Sequence, residues 1–239
     1  MANSISAPIE YFFHEGKENL EECLRIAFET AVRRDVKTLV IFTGIGQGPR
    51  IAIEKFRPQE CYADIKLIAV TFPYGHFKVR ELEDKASSME ISNEERAFLV
   101  KNDVRIVRAH MPFNPIAAHN KSHGVLGQDL SLIGNALSVF CGSMSLCVQA
   151  TLMACDAGEV ETGEHVIALT SDTAILARAC PTERLLTDFI VREILCKPMS
   201  LTIIKKEARL TDPQSPTTLE ASVETPQLPP PEVHLQAPD

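Results

Sequence analysis

The chain has 239 residues, of which 45% are hydrophobic and 23% charged, and its formal net charge is −8. That length fits one large domain or two small ones, and the composition suffices for a core that needs no disulfide or metal. Lys and Arg form no stripe, Trp is absent and Tyr is limited to Tyr11, Tyr62 and Tyr74, so neither counterion release nor base stacking supports a nucleic-acid partner.

Residues 1–10 contain no basic segment followed by an apolar run, so no secretory signal is expected. Asn19 and Glu22 stand at capping-box spacing, and Leu20, Cys23, Leu24, Ala27, Phe28 and Ala31 recur at helical spacing. A first helix with one buried face is predicted, its dipole matched by Glu18, Glu21 and Glu22 at the start and Arg33 and Arg34 at the end. Residues 36–42 are almost continuously apolar or β-branched, which predicts a strand covered on both faces. Gly48-Pro49 opens a short helix through Phe56, with proline tolerated at the first position. A second buried strand follows at 65–70. Ser92 and Glu95 form another capping box, for a helix through about Lys101, and a third strand covers 104–107, ending near His110.

Between Asp129 and Asp156 lie 26 uncharged residues, enough to cross a bilayer. Ser131, Asn135, Ser138, Ser143, Ser145, Gln149 and Thr151 interrupt the run, and Cys141-Gly142-Ser143 reads as a break. Two buried helices meeting at that break are therefore expected rather than a membrane span. A fourth strand is predicted at 165–169. The pattern leaves 174–179 and 189–195 ambiguous, the latter alternating like an edge strand. Strands alternating with helices predict a three-layer α/β/α sandwich with a mostly parallel sheet, Rossmann-like in class. Seven of the 15 prolines fall in 211–239, where large apolar residues are few. The expected organisation is an α/β domain over 1–205 and a disordered proline-rich tail over 206–239. Pro226 and Pro229 give the tail a PxxP pattern, which a solvated tail carries equally well.

The seven cysteines (Cys23, Cys61, Cys141, Cys147, Cys155, Cys180 and Cys196) include no CxxC pair, and most sit among apolar neighbours. Buried reduced thiols in a reducing, cytoplasmic setting are expected. Redox activity at Cys141 or Cys147 is disfavoured, because apolar surroundings raise a thiol's pKa.

The strongest local feature is Val40-Ile41-Phe42-Thr43-Gly44-Ile45-Gly46-Gln47-Gly48-Pro49-Arg50, where a strand ends, glycines follow and a helix begins. Glycines let backbone approach an anion, and amides at a helix start point towards it; Thr43 adds a hydroxyl and Arg50 a charge. The G-x-G-x-G spacing is neither the dinucleotide fingerprint nor a P-loop. A plain tight turn and an anion site both fit this segment.

Further segments, in collinear order, carry a family resemblance. They are Glu18-Asn19-Leu20-Glu21-Glu22-Cys23-Leu24, the glycine loop, Thr71-Phe72-Pro73-Tyr74-Gly75-His76-Phe77, His110, residues 147–158 ending in Asp156-Ala157-Gly158, and Val191-Arg192-Glu193-Ile194-Leu195-Cys196-Lys197-Pro198. From about Tyr11 to Pro198 the chain resembles a free-standing version of the carboxy-terminal domain of pyruvate kinase. The resemblance implies a regulatory or ligand-binding domain without pyruvate kinase activity, since the catalytic barrel of that family needs roughly 250 residues of its own. Free-standing members look like flavin mononucleotide (FMN) binders, so FMN or another phosphorylated metabolite is the expected ligand and cofactor. On that analogy Thr43, Gly44, Gly46, Gln47 and Gly48 hold a phosphate, and Thr71, Tyr74, Gly75, His76 and His110 line the adjacent crevice. The family's second glycine-rich loop is absent: Leu169-Thr170-Ser171 runs directly into Asp172-Thr173-Ala174. Ser171, Asp172 and Thr173 stand in its place and are the ligand-binding residues expected there.

Two other constellations carry alternatives. His119 and His123 are four apart, as metal ligands can be, but no third ligand is evident. His76 and His110 could handle protons in a flavin-dependent enzyme or could be packed histidines, and no G-x-S-x-G elbow supplies a nucleophile. The leading expectation is a small-molecule binding protein, with such an enzyme and an interaction module with a decayed site as alternatives. A homo-oligomer is compatible with the sequence, and no membrane partner is expected.

Overall fold

In a computed structural model, residues 6–76, 90–113 and 128–199 are described, together with Ser4. Seven strands form one sheet: β1 (Glu10–Phe12), β2 (Thr38–Phe42), β3 (Lys66–Thr71), β4 (Arg105–Arg108), β5 (His165–Leu169), β6 (Ala174–Arg178) and β7 (Ile190–Pro198). Their spatial order is β1-β7-β6-β5-β2-β3-β4, and β6 alone runs against its neighbours. Strand β2 explains the architecture. All five of its residues are buried, and successive side chains point to opposite faces. Leu39 and Ile41 enter one core, Val40 and Phe42 the other.

The first core is closed by α1 (Leu20–Arg34), by α2 (Gln47–Ile51) with its π-helical continuation (Ala52–Phe56), and by α3 (Asn93–Lys101). Phe28 of α1 is fully buried, stacked on Phe56 at 4.9 Å and tilted against Tyr62 at 5.0 Å. The second core is closed by α4 (Gln128–Leu137) and α5 (Met144–Asp156). A short α6 (Leu185–Asp188) precedes β7. The result is the three-layer α/β/α sandwich with a mostly parallel, Rossmann-like sheet that the alternation of elements predicts.

The uncharged run resolves into α4 and α5, with the break at residues 138–143. The buried polar residues of α5 are satisfied internally: Gln149 Oε1 accepts the Phe113 amide at 2.9 Å, and the Thr151 hydroxyl donates to the Cys147 carbonyl at 3.0 Å. Among the described residues no helix is long and apolar enough to cross a membrane. The helix ends in a turn at Gly158, whose φ of 74° suits glycine.

Several local expectations need correction. Asn19 and Glu22 form no capping box: Asn19 closes a 3-10 turn (Lys17–Asn19), its side chain donates to the His14 carbonyl at 2.7 Å, and Glu22 accepts from Arg25. Half of the second box forms, since Ser92 accepts the Glu95 amide at 3.1 Å, while the Glu95 carboxylate is drawn to Arg50. Strand β7 is not at the edge, because β1 pairs with it in parallel, Glu10 opposite Cys196. The ambiguous 174–178 segment is β6, fully buried at its first four positions. The proline-rich tail and its PxxP pattern lie outside the described residues.

All seven cysteines are free thiols; Cys23, Cys141, Cys147, Cys180 and Cys196 are buried, Cys155 is half-buried and Cys61 is exposed. Burial pushes the Cys23, Cys141 and Cys147 thiols up and the Cys180 thiol to about 11. An aromatic thiol reagent at neutral pH is therefore expected to label Cys61 promptly in the native protein, with the five buried cysteines reacting only in denaturant; mass mapping of the labelled sites checks this. Phe28→Ala is expected to cost about 3–5 kcal/mol in urea unfolding, because it removes the ring between Phe56 and Tyr62.

Candidate functional site

From β2 the chain moves outward to β3 and β4, with α2 and α3 on one face; it then returns through α4 and α5, on the other face, to place β5 on the opposite side of β2. The connections leaving this strand pair diverge, and such a topological switch point opens a crevice at the carboxyl ends of parallel strands. A cavity of about 560 Å³ lies there.

The loop after β2 and the turn after β5 supply facing walls. Thr43, Gly44, Ile45, Gln47 and Gly48 line the first, and Thr170 and Ser171 the second. Lys17 comes from the 3-10 turn before α1, Leu20 from α1 itself, Phe72 from the end of β3, and Ser143 and Leu146 from the start of α5. Leu20, Phe42, Phe72 and Leu146 make an apolar floor with polar groups around it. Phe72 packs edge-on against Phe42, with ring centroids 4.9 Å apart.

The glycines have distinct local duties. Gly46 has a φ of 92°, and a Cβ there would lie 2.6 Å from Glu95 Cγ. A Cβ on Gly48 would lie 2.9 Å from Ile41 Cγ2, so this glycine lets α2 close onto the sheet. The Gly46 amide donates to Thr43 Oγ1 at 2.9 Å. Pro49 has no amide hydrogen, which leaves Gln47 and Gly48 as the amides the first turn offers. Arg50 does not line the cavity. Its guanidinium donates to Glu95 at 2.9 Å and to Glu54 at 3.1 Å and lies 3.9 Å from the centre of the Phe98 ring.

The remaining expected residues are placed elsewhere. Thr71 is buried at the end of β3. Tyr74, Gly75 and His76 form a turn pinned by Glu90, which accepts the Gly75 amide at 2.9 Å and pairs with Arg108 at 3.2 Å. Arg108 in turn sits 5.6 Å from the Tyr74 ring. His76 stacks on Phe72 at 4.9 Å, and His110 is exposed beyond β4; neither lines the cavity. His119 and His123 lie outside the described residues, and among the described residues no group of three or more His, Cys, Asp or Glu could hold a metal ion.

Where the family resemblance would place a second glycine loop, residues 170–173 form a tight hairpin turn, Leu169 pairing with Ala174 across it. The Thr170 amide donates to the Thr173 carbonyl at 2.9 Å. Asp172 faces inward. Its carboxylate accepts the Gly16 amide at 3.0 Å and the Thr173 hydroxyl at 3.1 Å, tying the segment before α1 to this turn. Asp172 and Thr173 thus shape the cavity from behind, while Ser171 lines it. Of the lining residues the sequence singled out Thr43, Gly44, Gln47, Gly48 and Ser171; Phe42, Ile45, Phe72 and Thr170 are their chain neighbours, and Lys17, Leu20, Ser143 and Leu146 come from elements it did not connect with the site. The one available signal was the break at Cys141-Gly142-Ser143, which brings the start of α5 to the crevice.

Asp172→Ala strands the part-buried Gly16 amide, while the buried Thr173 hydroxyl keeps Cys141 Sγ at 3.3 Å. A loss of about 1–3 kcal/mol for the stranded donor is expected, measured by urea unfolding.

Compared with the known protein-family models, the chain matches none.

Proposed function

We propose that this protein is a small-molecule binding protein whose cavity between β2 and β5 takes a phosphorylated ligand, FMN or another phosphorylated metabolite. The observation that carries the reading is position: an open cavity of about 560 Å³ stands at the switch point of the sheet, walled by the glycine loop on one side and Thr170 and Ser171 on the other. An apolar floor with a few convergent hydroxyl, amide and ammonium groups suits a ligand with a hydrophobic body and a charged end. The resemblance to the carboxy-terminal domain of pyruvate kinase points in the same direction, towards ligand binding without that enzyme's chemistry. Seven free thiols fit a reducing, cytoplasmic setting. Neither His76 nor His110 lines the cavity, so the reading stops at binding.

Titration of the purified protein with FMN and with sugar phosphates, followed by thermal unfolding and calorimetry, tests it. A saturable rise in Tm is expected, with about 2.7 kcal/mol of stabilisation when ligand reaches a hundred times its Kd. Indifference to every phosphorylated compound in the series, in both measurements, would remove the proposal.

A further inference from the structure

Lys17 stands at the solvent-facing rim of the cavity, and every other lining residue is uncharged. Among the described residues Lys17 has no ion-pair partner within 4.0 Å. The neighbouring carboxylates face elsewhere: Asp172 accepts the Gly16 amide, and Glu18 folds back over Gly16, where its Oε2 would lie 2.3 Å from an added Cβ. The glycine loop offers no charged side chain to the cavity, only the amides of Gln47 and Gly48. The Gly46 amide is held by Thr43, Pro49 has no donor, and Arg50 is neutralised by Glu95 and Glu54. Leu20, Phe42, Phe72 and Leu146 give the lining its large apolar side chains.

An amphiphilic anion is oriented by such a field. Its apolar body leaves water by entering the recess, and its charged group remains at the wet rim, where a cation meets it. We infer that Lys17, rather than the glycine loop, selects the anionic group of the ligand, so that the cavity takes a molecule with a flat or aliphatic apolar body and one phosphate-type anion at the Lys17 end. This rests on the binding reading above. The glycine loop then supplies the shape of the wall, and Lys17 discriminates between a phosphorylated compound and its neutral parent.

FMN and riboflavin, which differ by one phosphate, are the probes. Their dissociation constants are measured by quenching of flavin fluorescence with the full chain, with Lys17→Met, and with Arg50→Met as the control at a nearby cation that does not line the cavity. The unaltered protein is expected to prefer FMN to riboflavin by tenfold or more, with the preference shrinking as salt is raised. Lys17→Met is expected to remove that preference and leave riboflavin affinity within twofold, whereas Arg50→Met keeps the preference. Survival of the FMN preference in Lys17→Met, or its loss in Arg50→Met alone, overturns the assignment to Lys17. Equal binding of both flavins by the unaltered protein also overturns it while leaving the cavity a binding site. Binding of neither probe removes this inference, and indifference to the sugar phosphates as well removes the reading beneath it.

Discussion

The pairing of β2 with β3 on one side and β5 on the other is the constraint from which the rest of the molecule follows. Because β2 is buried on both faces, its side chains must be apolar without interruption, and residues 38–42 satisfy that except for Thr38, whose hydroxyl donates to Glu164 at 2.6 Å. A strand so placed needs helices on both sides. The chain provides them by sending α1, α2 and α3 to one face and α4 and α5 to the other. The crevice is a by-product of that division, since the connections leaving β2 and β5 cannot fill the space between them.

Glycine-rich turns after a strand are often read as anion sites, and here the geometry gives those glycines work of another kind. Gly46 turns the chain through a left-handed conformation beneath Glu95, and Gly48 admits Ile41 of the sheet to within contact of the helix. Thr43 closes the turn by accepting the Gly46 amide. Arg50, which the sequence offers as a charge for a ligand, is held by two carboxylates and an aromatic ring on the far side of α2. The polar character of the crevice therefore comes from several elements at once: the 3-10 turn before α1, the loop after β2, the β5–β6 hairpin and the start of α5.

Most of the fold was legible because burial writes itself into spacing. The helical recurrence of Leu20, Cys23, Leu24, Ala27, Phe28 and Ala31 became one buried face of α1, and the continuous runs became β2, β3 and β5. Strand β1 was invisible, since three residues, two exposed and one half-buried, carry no periodicity, and its presence moved β7 from the edge to the interior. The capping boxes were only partly legible: Ser92 caps its helix as expected, but Glu22 and Glu95 each met an arginine with more to offer a carboxylate than a backbone amide. The candidate site was half legible. The loop after β2 could be found from its glycines, but Lys17 and Ser143 join it only through the tertiary path of the chain, and no local pattern marks a residue for a distant wall.

The pairing of β1 with β7 has a consequence for how the sheet is completed. Residue 10 is hydrogen-bonded alongside residue 196, so β1 precedes every other strand of the sheet in the chain while its partner is the last of them. Strands β5, β6 and β7 are neighbours in sequence and can zip locally, whereas β1 waits until β7 has left the ribosome. Vectorial synthesis thus gives the seven-stranded sheet a late closing step, and the segment that performs it is also the one that leads directly into Gly16 and Lys17.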